Sequence, residues 1–486
     1  MRSWRPTPSG ASCPASRPPG RRASSSFRSR RSFRECPVTT SPGARRGLRL
    51  HRLDLAEADR RPEIAAERDR LIRRGAVPDQ GIREEVRAIL RDVRETGGAA
   101  VRIGNARYGG GLADGRLTVD ASELVAARDR LAPDVREALA ITIANVRRFA
   151  EAHKPSTSRT VISPGVEIER RWTPVGRVGA YVPGGSAAYP SSLVMCVVPA
   201  RVAGVGSIVV ASPADREGQL HPVLLGTAGL LGIDQLVVAG GAQAIGALAY
   251  GLPESRVAPV DKIVGPGSAW VTAAKLEVFG EVGVDLPAGP SEVMVLADAT
   301  AEPAHVAADL LSQAEHGPDS PAILVTPEAE FADAVELEIV RRLALAPRRD
   351  ILERSLLASG VIVLAPDRDS AIAFADAYAA EHLTVVLANA EEAVARIANA
   401  GSLFVGPYAP ESAGDYASGA NHVLPTGGLA RSSGGLGVED FGKYVQVQRI
   451  DRDGLRSISR TVTTLAAAEG LPAHAAAVEA RFEEEK

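Results

Sequence analysis

Runs of β-branched and small apolar residues recur through the middle of this chain, each stopped by Gly or Pro. From about residue 173, GRVGAYVPGG, GSIVVASP, QLVVAGGAQAIGALAYG and KIVGPGSAWVTAAKLEV follow one another. Most lead into an Ala-rich stretch of helical character. A second set reads EVMVLAD (292–298), PAILVTP (321–327), GVIVLAP (360–366), LTVVLAN (383–389) and SLFVGP (402–407). Continuous apolar runs, rather than alternating ones, predict strands buried on both faces of a parallel sheet. Alternation of strand, loop and helix predicts helices covering both faces. The class is therefore α/β, in two halves of similar layout. Ligands in such sheets sit outside the carboxyl ends of strands, where the Gly-rich loops would lie.

Upstream, residues 81–96 and 121–153 carry helical periodicity, with Gly97–Gly98 and Gly109–Gly111 as punctuation. Residues 49–75 read as a polar N-terminal arm, and the chain after about 435 as a short tail ending in an Ala/Glu-rich helix. A length of 486 residues predicts more than one domain. No uninterrupted apolar run reaches membrane-spanning length.

The overall charge of −3 conceals an asymmetry. Residues 1–48 hold eleven Arg, no Lys and a single acid, Glu35, so the remaining body carries a net charge of −13. An acidic body argues against nucleic-acid binding. The Arg/Ser/Pro-rich leader cannot bury a core and is expected to be disordered. Its composition fits either an organelle transit peptide or translated upstream sequence preceding a later start such as Val38. Cys13, Cys36 and Cys196 are scattered, with neither a disulfide framework nor thiolate zinc spacing. A reducing cytoplasm is the default, and any metal must use His, Asp, Glu or Gln.

Of eight histidines, four fall in short polar segments beside carboxylates or amides. Gln313 and His316 lie three apart at a helix end, a spacing that shares one face. They suit a metal, or a His capping the last carbonyls. Glu381–His382, just before LTVV, could be an acid–base pair or a solvated loop pair. Asp415 and His422 sit among Ser412, Gly414, Ser418, Gly419 and Asn421, a density of small polar residues typical of a site. Glu469 and His474 flank a Gly-Leu-Pro turn that could aim both the same way, or cap a tail helix. Oxygen and nitrogen donors without thiolate favour catalytic Zn²⁺ or Mn²⁺ over structural zinc. The loops VPGGS (182–186), GGAQ (240–243) and GPGS (265–268) could cradle a dinucleotide or be plain turns, and Ser291 in PAGPSE could meet a substrate or cap a turn.

Taken together, GPSEV, LLSQAEHGPDS, ESAGDYASG, NHVLPT and TLAAAEGL, in this order and spacing, resemble the histidinol dehydrogenase family from about residue 50 to the C-terminus. The resemblance implies oxidation of L-histidinol to L-histidine through histidinal, with one Zn²⁺ per subunit and NAD⁺. It implies zinc ligands Gln313, His316, Asp415 and His474, and an acid–base pair Glu381 and His382. Substrate contacts would be Ser291, Glu469, His422 and His382 beside the zinc ligands, and NAD contacts Tyr181, Gln243 and Ser268. Ser268 departs from the family's G-P-G-N, which implies an altered cofactor contact rather than lost function. The implied fold is two incomplete Rossmann-like domains of aldehyde-dehydrogenase type with an N-terminal arm and a helical tail. One domain would comprise 76–180 with 291–435, carrying most zinc and catalytic residues. The other would comprise 181–290 with the NAD contacts. The tail, 436–486, would cross to a homodimer partner. A relative acting on another small amino alcohol or diol, and a non-catalytic zinc-binding protein, are the competing readings.

Overall fold

In the computed structural model, residues 48–184 and 188–485 are described. The leader 1–47 and Gly185–Ser186 of the VPGGS loop lie outside the described residues. Fifteen strands form among them. They are β1 (His51–Asp54), β2 (Thr118–Asp120), β3 (Ser158–Ser163), β4 (Val166–Pro174) and β5 (Arg177–Tyr181). There follow β6 (Ser207–Ser212), β7 (Gln235–Val238), β8 (Lys262–Val264), β9 (Gly283–Val284) and β10 (Val293–Ala297). The last are β11 (Ala322–Thr326), β12 (Gly360–Leu364), β13 (His382–Val386), β14 (Ser402–Val405) and β15 (Gly442–Ile450).

Two six-stranded sheets carry the body. The first has the order β1-β12-β11-β10-β13-β14 and is parallel throughout. Every residue of β10 and β11 is buried, as their unbroken apolar sequences require. The second has the order β2-β7-β6-β5-β8-β9, parallel except where β2 pairs antiparallel with β7. Each sheet lies between two apolar clusters, one per face. In each, three consecutive strands run one way from a starting strand, and the next returns to its other side. The reversals fall between β5 and β8 and between β10 and β13. A third, antiparallel sheet has the order β15-β4-β3. Among the described residues no helix is long and apolar enough to cross a membrane.

The α/β class and its parallel sheets match the sequence reading, and four stretches differ from it. The stretch 49–75 is more than an arm. Its β1 closes the first sheet against β12, burying Leu50 and Leu53, and a helix Pro62–Ile72 follows. The stretch 76–180 does not join 291–435. Helix Gln80–Thr96 packs its Val86, Leu90 and Val93 stripe on helices Gly241–Tyr250 and Ala269–Val278, and β2 extends the second sheet. Sequence proximity carries no information about which sheet edge a short strand joins. The tail also begins with a strand: β15 pairs over nine residues with β4 before helices Arg452–Ala468 and Pro472–Glu479. The single helical stretch 121–153 is two helices, Ala121–Asp129 and Pro133–His153, parted where Pro133 starts the second.

Candidate active site

The polar cluster gathers at the amino ends of the first sheet's strands. Glu381 and His382 sit where β13 begins, and Ser291 and Glu292 just before its neighbour β10. Helix Pro303–Ala314 delivers Gln313 in its last turn, and His316 follows one turn later, with its N–H bonded to Gln313 O at 3.1 Å. Asp415 comes from the short helix Glu411–Tyr416, and His422 from the loop beyond it. Ser291, Gln313, His316, Glu381, His382, Glu411, Asp415 and His422 all line one cavity of about 630 Å³. Spacing alone had paired Gln313 with His316, Glu381 with His382 and Asp415 with His422, and had left Ser291 by itself.

Glu381 is held hard. Its Oε2 accepts from Ser291 Oγ at 2.7 Å and from Glu292 N–H at 2.8 Å. The His382 ring stacks on Phe404 with centroids 6.0 Å apart. Phe404 in turn supports the Asp415 helix at Gly414, where a Cβ would lie 2.7 Å from the ring. His382 Nδ1 lies 3.4 Å from Glu292 O and 3.5 Å from Glu381 Oε2. Its Nε2, 3.7 Å from Asp415 Oδ1, is buried with no hydrogen-bond partner among the described residues. An aimed, unpaired ring nitrogen is what a proton-transfer group offers an incoming hydroxyl. His422 is tied differently. Its Nδ1 meets Asp415 O at 3.0 Å and its Nε2 meets Ser192 Oγ at 3.1 Å, so both ring nitrogens are engaged.

Charge in the cavity is lopsided. Burial works against the His382 imidazolium, but Glu381, Glu411 and Asp415 outweigh it and raise the imidazole to about 10. Burial holds His422 below the ordinary histidine value, against the pull of Asp415. Burial pushes the Glu411 carboxyl up to about 8, with His382 opposing and Asp415 adding to the rise. Glu411 Oε2 too has no hydrogen-bond partner among the described residues. The sequence reading passed over Glu411, Ser192 and Glu292. Glu411 stood four residues before Asp415, a same-face helical spacing that could have signalled it.

Gln313 Nε2 donates to Ser291 O at 2.5 Å, which commits the amide nitrogen and leaves its carbonyl oxygen as a donor to a metal. Gln313, His316 and Asp415 thus offer O, N and O donors on one cavity, a set that suits zinc. Among the described residues no group of three or more His, Cys, Asp or Glu could hold a metal ion. His474 and Glu469 are exposed on the tail and do not line this cavity.

A second cavity, of about 750 Å³, is lined by Tyr181, Gln243 and Ser268 together with Gly110, Gly240 and Trp270. It lies outside the carboxyl ends of β5, β6, β7 and β8, across the β5/β8 reversal. Helices Gly241–Tyr250 and Ala269–Val278 start on its rim, so their N-terminal amide groups suit a phosphate there. Ser268 caps the second helix by position, but its hydroxyl makes no cap bond. Gly265, packed against Tyr181 just after β8, is obligatory: φ is +115°, and a Cβ would lie 2.1 Å from Tyr181 O. Ser268 lines both cavities, so the two adjoin.

Two open parallel sheets, with an acidic histidine-bearing cavity beside a Gly-rimmed one, define an enzyme of the Rossmann-like α/β class. Comparisons narrow the class. The family model for histidinol dehydrogenase matches residues 72–482. The histidinol dehydrogenase of Leifsonia xyli is 49% identical over 422 residues, covering 86% of this chain and 96% of the relative. That of Halobacterium salinarum is 48% identical over 406 residues, 83% of this chain and 94% of the relative. The crystal structure of histidinol dehydrogenase from Elizabethkingia anophelis superposes with a TM-score of 0.81 at 34% identity, covering 90% of this chain and 98% of that one. The chain belongs to the histidinol dehydrogenase family.

Proposed function

We propose that this enzyme oxidises L-histidinol to L-histidine, the closing steps of histidine biosynthesis, in two successive two-electron steps through L-histidinal. The observation that carries the reading is one cavity where Gln313, His316 and Asp415 meet Glu381 and His382, adjoining a second cavity that holds Tyr181, Gln243 and Ser268. Gln313, His316 and Asp415 would hold one Zn²⁺ per subunit, with His474 supplied by the tail of a partner subunit; Tyr181, Gln243 and Ser268 would hold NAD⁺. Bound zinc supplies a positive template for the substrate's nitrogen donors, and bound NAD⁺ the hydride acceptor.

The chain's own residues supply the rest. The Glu381 and Asp415 carboxylates on the cavity, with Glu411 beside them, favour a cationic amine over a neutral diol. A cation held among these side chains would offset the carboxylate pull that raises His382, and the imidazole, once neutral, takes the alcohol proton at Nε2 as hydride leaves carbon. Water then adds to the aldehyde. Glu381, with Oε2 fixed by Ser291 and Glu292, takes that water's proton while His382 returns its own proton to the aldehyde oxygen, which gives the gem-diol and leaves the imidazole neutral again. His382 takes the proton of the resulting gem-diol as the second hydride leaves. Burial of both side chains keeps the aldehyde from bulk water. Cys196, the thiol among the described residues, takes no part: it is free and fully buried, and burial raises its pKa far above the ordinary thiol value. Glu469 and His474, exposed in their own subunit, complete the partner's site in a homodimer with exchanged tails. The enzyme works in the cytoplasm.

The test is NADH formed per L-histidinol consumed by zinc-loaded protein, beside a chelated control. Two NADH, abolished by chelation, are expected. One NADH with aldehyde release points to another small amino alcohol or diol as the substrate, and none to a zinc-binding protein without catalysis.

A further inference from the structure

We propose that Arg74 and Glu292 form a positioning pair that sets the geometry of Glu381 and His382. Neither side chain lines the active-site cavity. Arg74 grips Glu292 with both edges of its fork, Nε to Oε2 at 2.8 Å and Nη2 to Oε1 at 2.5 Å. The Tyr378 hydroxyl donates to the same Oε2 at 3.1 Å. The guanidinium lies 3.2 Å from the Tyr378 ring centroid and donates through Nη1 to Tyr378 O at 2.6 Å. The pair is buried, with side chains 17% and 3% exposed. A bidentate fork on a planar carboxylate, clamped on a ring, leaves Glu292 no freedom to rotate.

What that fixes lies on the other side of the same residue. The Glu292 N–H donates to Glu381 Oε2 at 2.8 Å, and Glu292 O accepts from His382 N at 3.3 Å and faces its Nδ1 at 3.4 Å. One residue earlier, Ser291 Oγ holds Glu381 and Ser291 O holds Gln313. The backbone of 291–292 therefore touches both members of the acid–base pair and a metal-ligand candidate, while its anchor is the Arg74 fork. Arg74 is followed directly by Gly75–Pro78, which line the same cavity. One buried ion pair thus joins two walls of the site. Loosening it would move the reacting groups without removing any of them, and a displacement of about 1 Å can cost on the order of 100-fold in rate.

The inference rests on the proposed reaction, and the test separates the two. Steady-state kinetics with L-histidinol and NAD⁺ are measured on wild type, Arg74→Lys and Tyr378→Phe, each zinc-loaded and checked for folded fraction. Arg74→Lys keeps the charge and loses the fork. It is expected to lower kcat by about 10-fold or more, with both KM values within about twofold of wild type and full zinc content. Tyr378→Phe keeps the ring and loses one bond, and is expected to lower kcat by a smaller factor. Wild-type kcat in both variants, or a fall that only tracks zinc content or folded fraction, overturns the proposal. If Arg74→Lys does not fold, Tyr378→Phe decides: unchanged kcat overturns it. If wild type itself turns over no histidinol, it is the reaction that fails. The pair is then judged by crystal structures of the variants, where unmoved Glu381 and His382 side chains overturn it.

Discussion

Lys275 and Asp285 offer the sharpest quantitative test of the scaffold behind the Gly-rimmed cavity. Their side chains form an ion pair while only 2% and 1% exposed. Lys275 Nζ also donates to Gly265 O at 3.1 Å and Leu286 O at 2.8 Å, and Asp285 Oδ2 accepts from Gly265 N–H at 2.7 Å. Both backbone groups of Gly265, the first residue of GPGS, hang on this pair. Lys275→Met keeps the aliphatic volume and strands a buried carboxylate with one donor. Removing one partner of a buried ion pair costs about 3–5 kcal/mol. Adding Asp285→Leu removes the stranded charge and newly orphans only the Gly265 N–H, at about 1–3 kcal/mol where water cannot reach it, because Gly265 O and Leu286 O already lose their donor in Lys275→Met. The double variant is therefore expected to be no less stable than Lys275→Met alone, a coupling of several kcal/mol. Urea unfolding followed by tryptophan fluorescence, to which Trp270 contributes from the helix that carries Lys275, reads this directly. A cost below about 1 kcal/mol for Lys275→Met, or additive effects of the two changes, would refute the reasoning.

Three further outcomes follow from the site. His316→Ala should lower zinc affinity by about 100-fold or more, read by competition with a chromophoric chelator; unchanged affinity removes His316 from the ligand set. Glu381→Gln should slow oxidation of L-histidinal more than that of L-histidinol in single-turnover runs, because only the aldehyde step needs water activated; equal losses contradict that division. Exchanged tails predict complementation. Co-expressed Glu381→Gln and His474→Ala subunits should regain activity that neither homodimer has, since one site of the mixed dimer is intact. No recovery would mean that His474 acts within its own subunit or not at all.

Much of the architecture was legible in the sequence because buried parallel strands write themselves as unbroken apolar runs. VMVLA, AILVT and GVIVL needed no partner information to be read as strands. The edge strands were harder. β2 has three residues and β1 four, and what makes them strands is a neighbour far along the chain. β15 and β4 show mixed burial and no continuous apolar run, so their pairing had no comparable signal. The same division runs through the site. The side chains able to ligate a metal or move a proton stood out as His, Gln, Asp and Glu in polar, Gly-rich settings. Glu411 and Glu292 did not, since their importance comes from burial and from what faces them.

The sequence by itself determined the α/β class, the strands of the two sheet cores and the chemical alphabet of the site, because local apolar runs and side-chain chemistry are local properties. Only the tertiary structure decided that residues 80–120 belong with the second sheet, and that Arg74 anchors a residue 218 positions away. It alone brought Glu381, His382, Gln313 and Asp415 to one cavity, with three carboxylates raising one imidazole. Those are facts of distance and desolvation, and both are set by packing between segments remote in the chain.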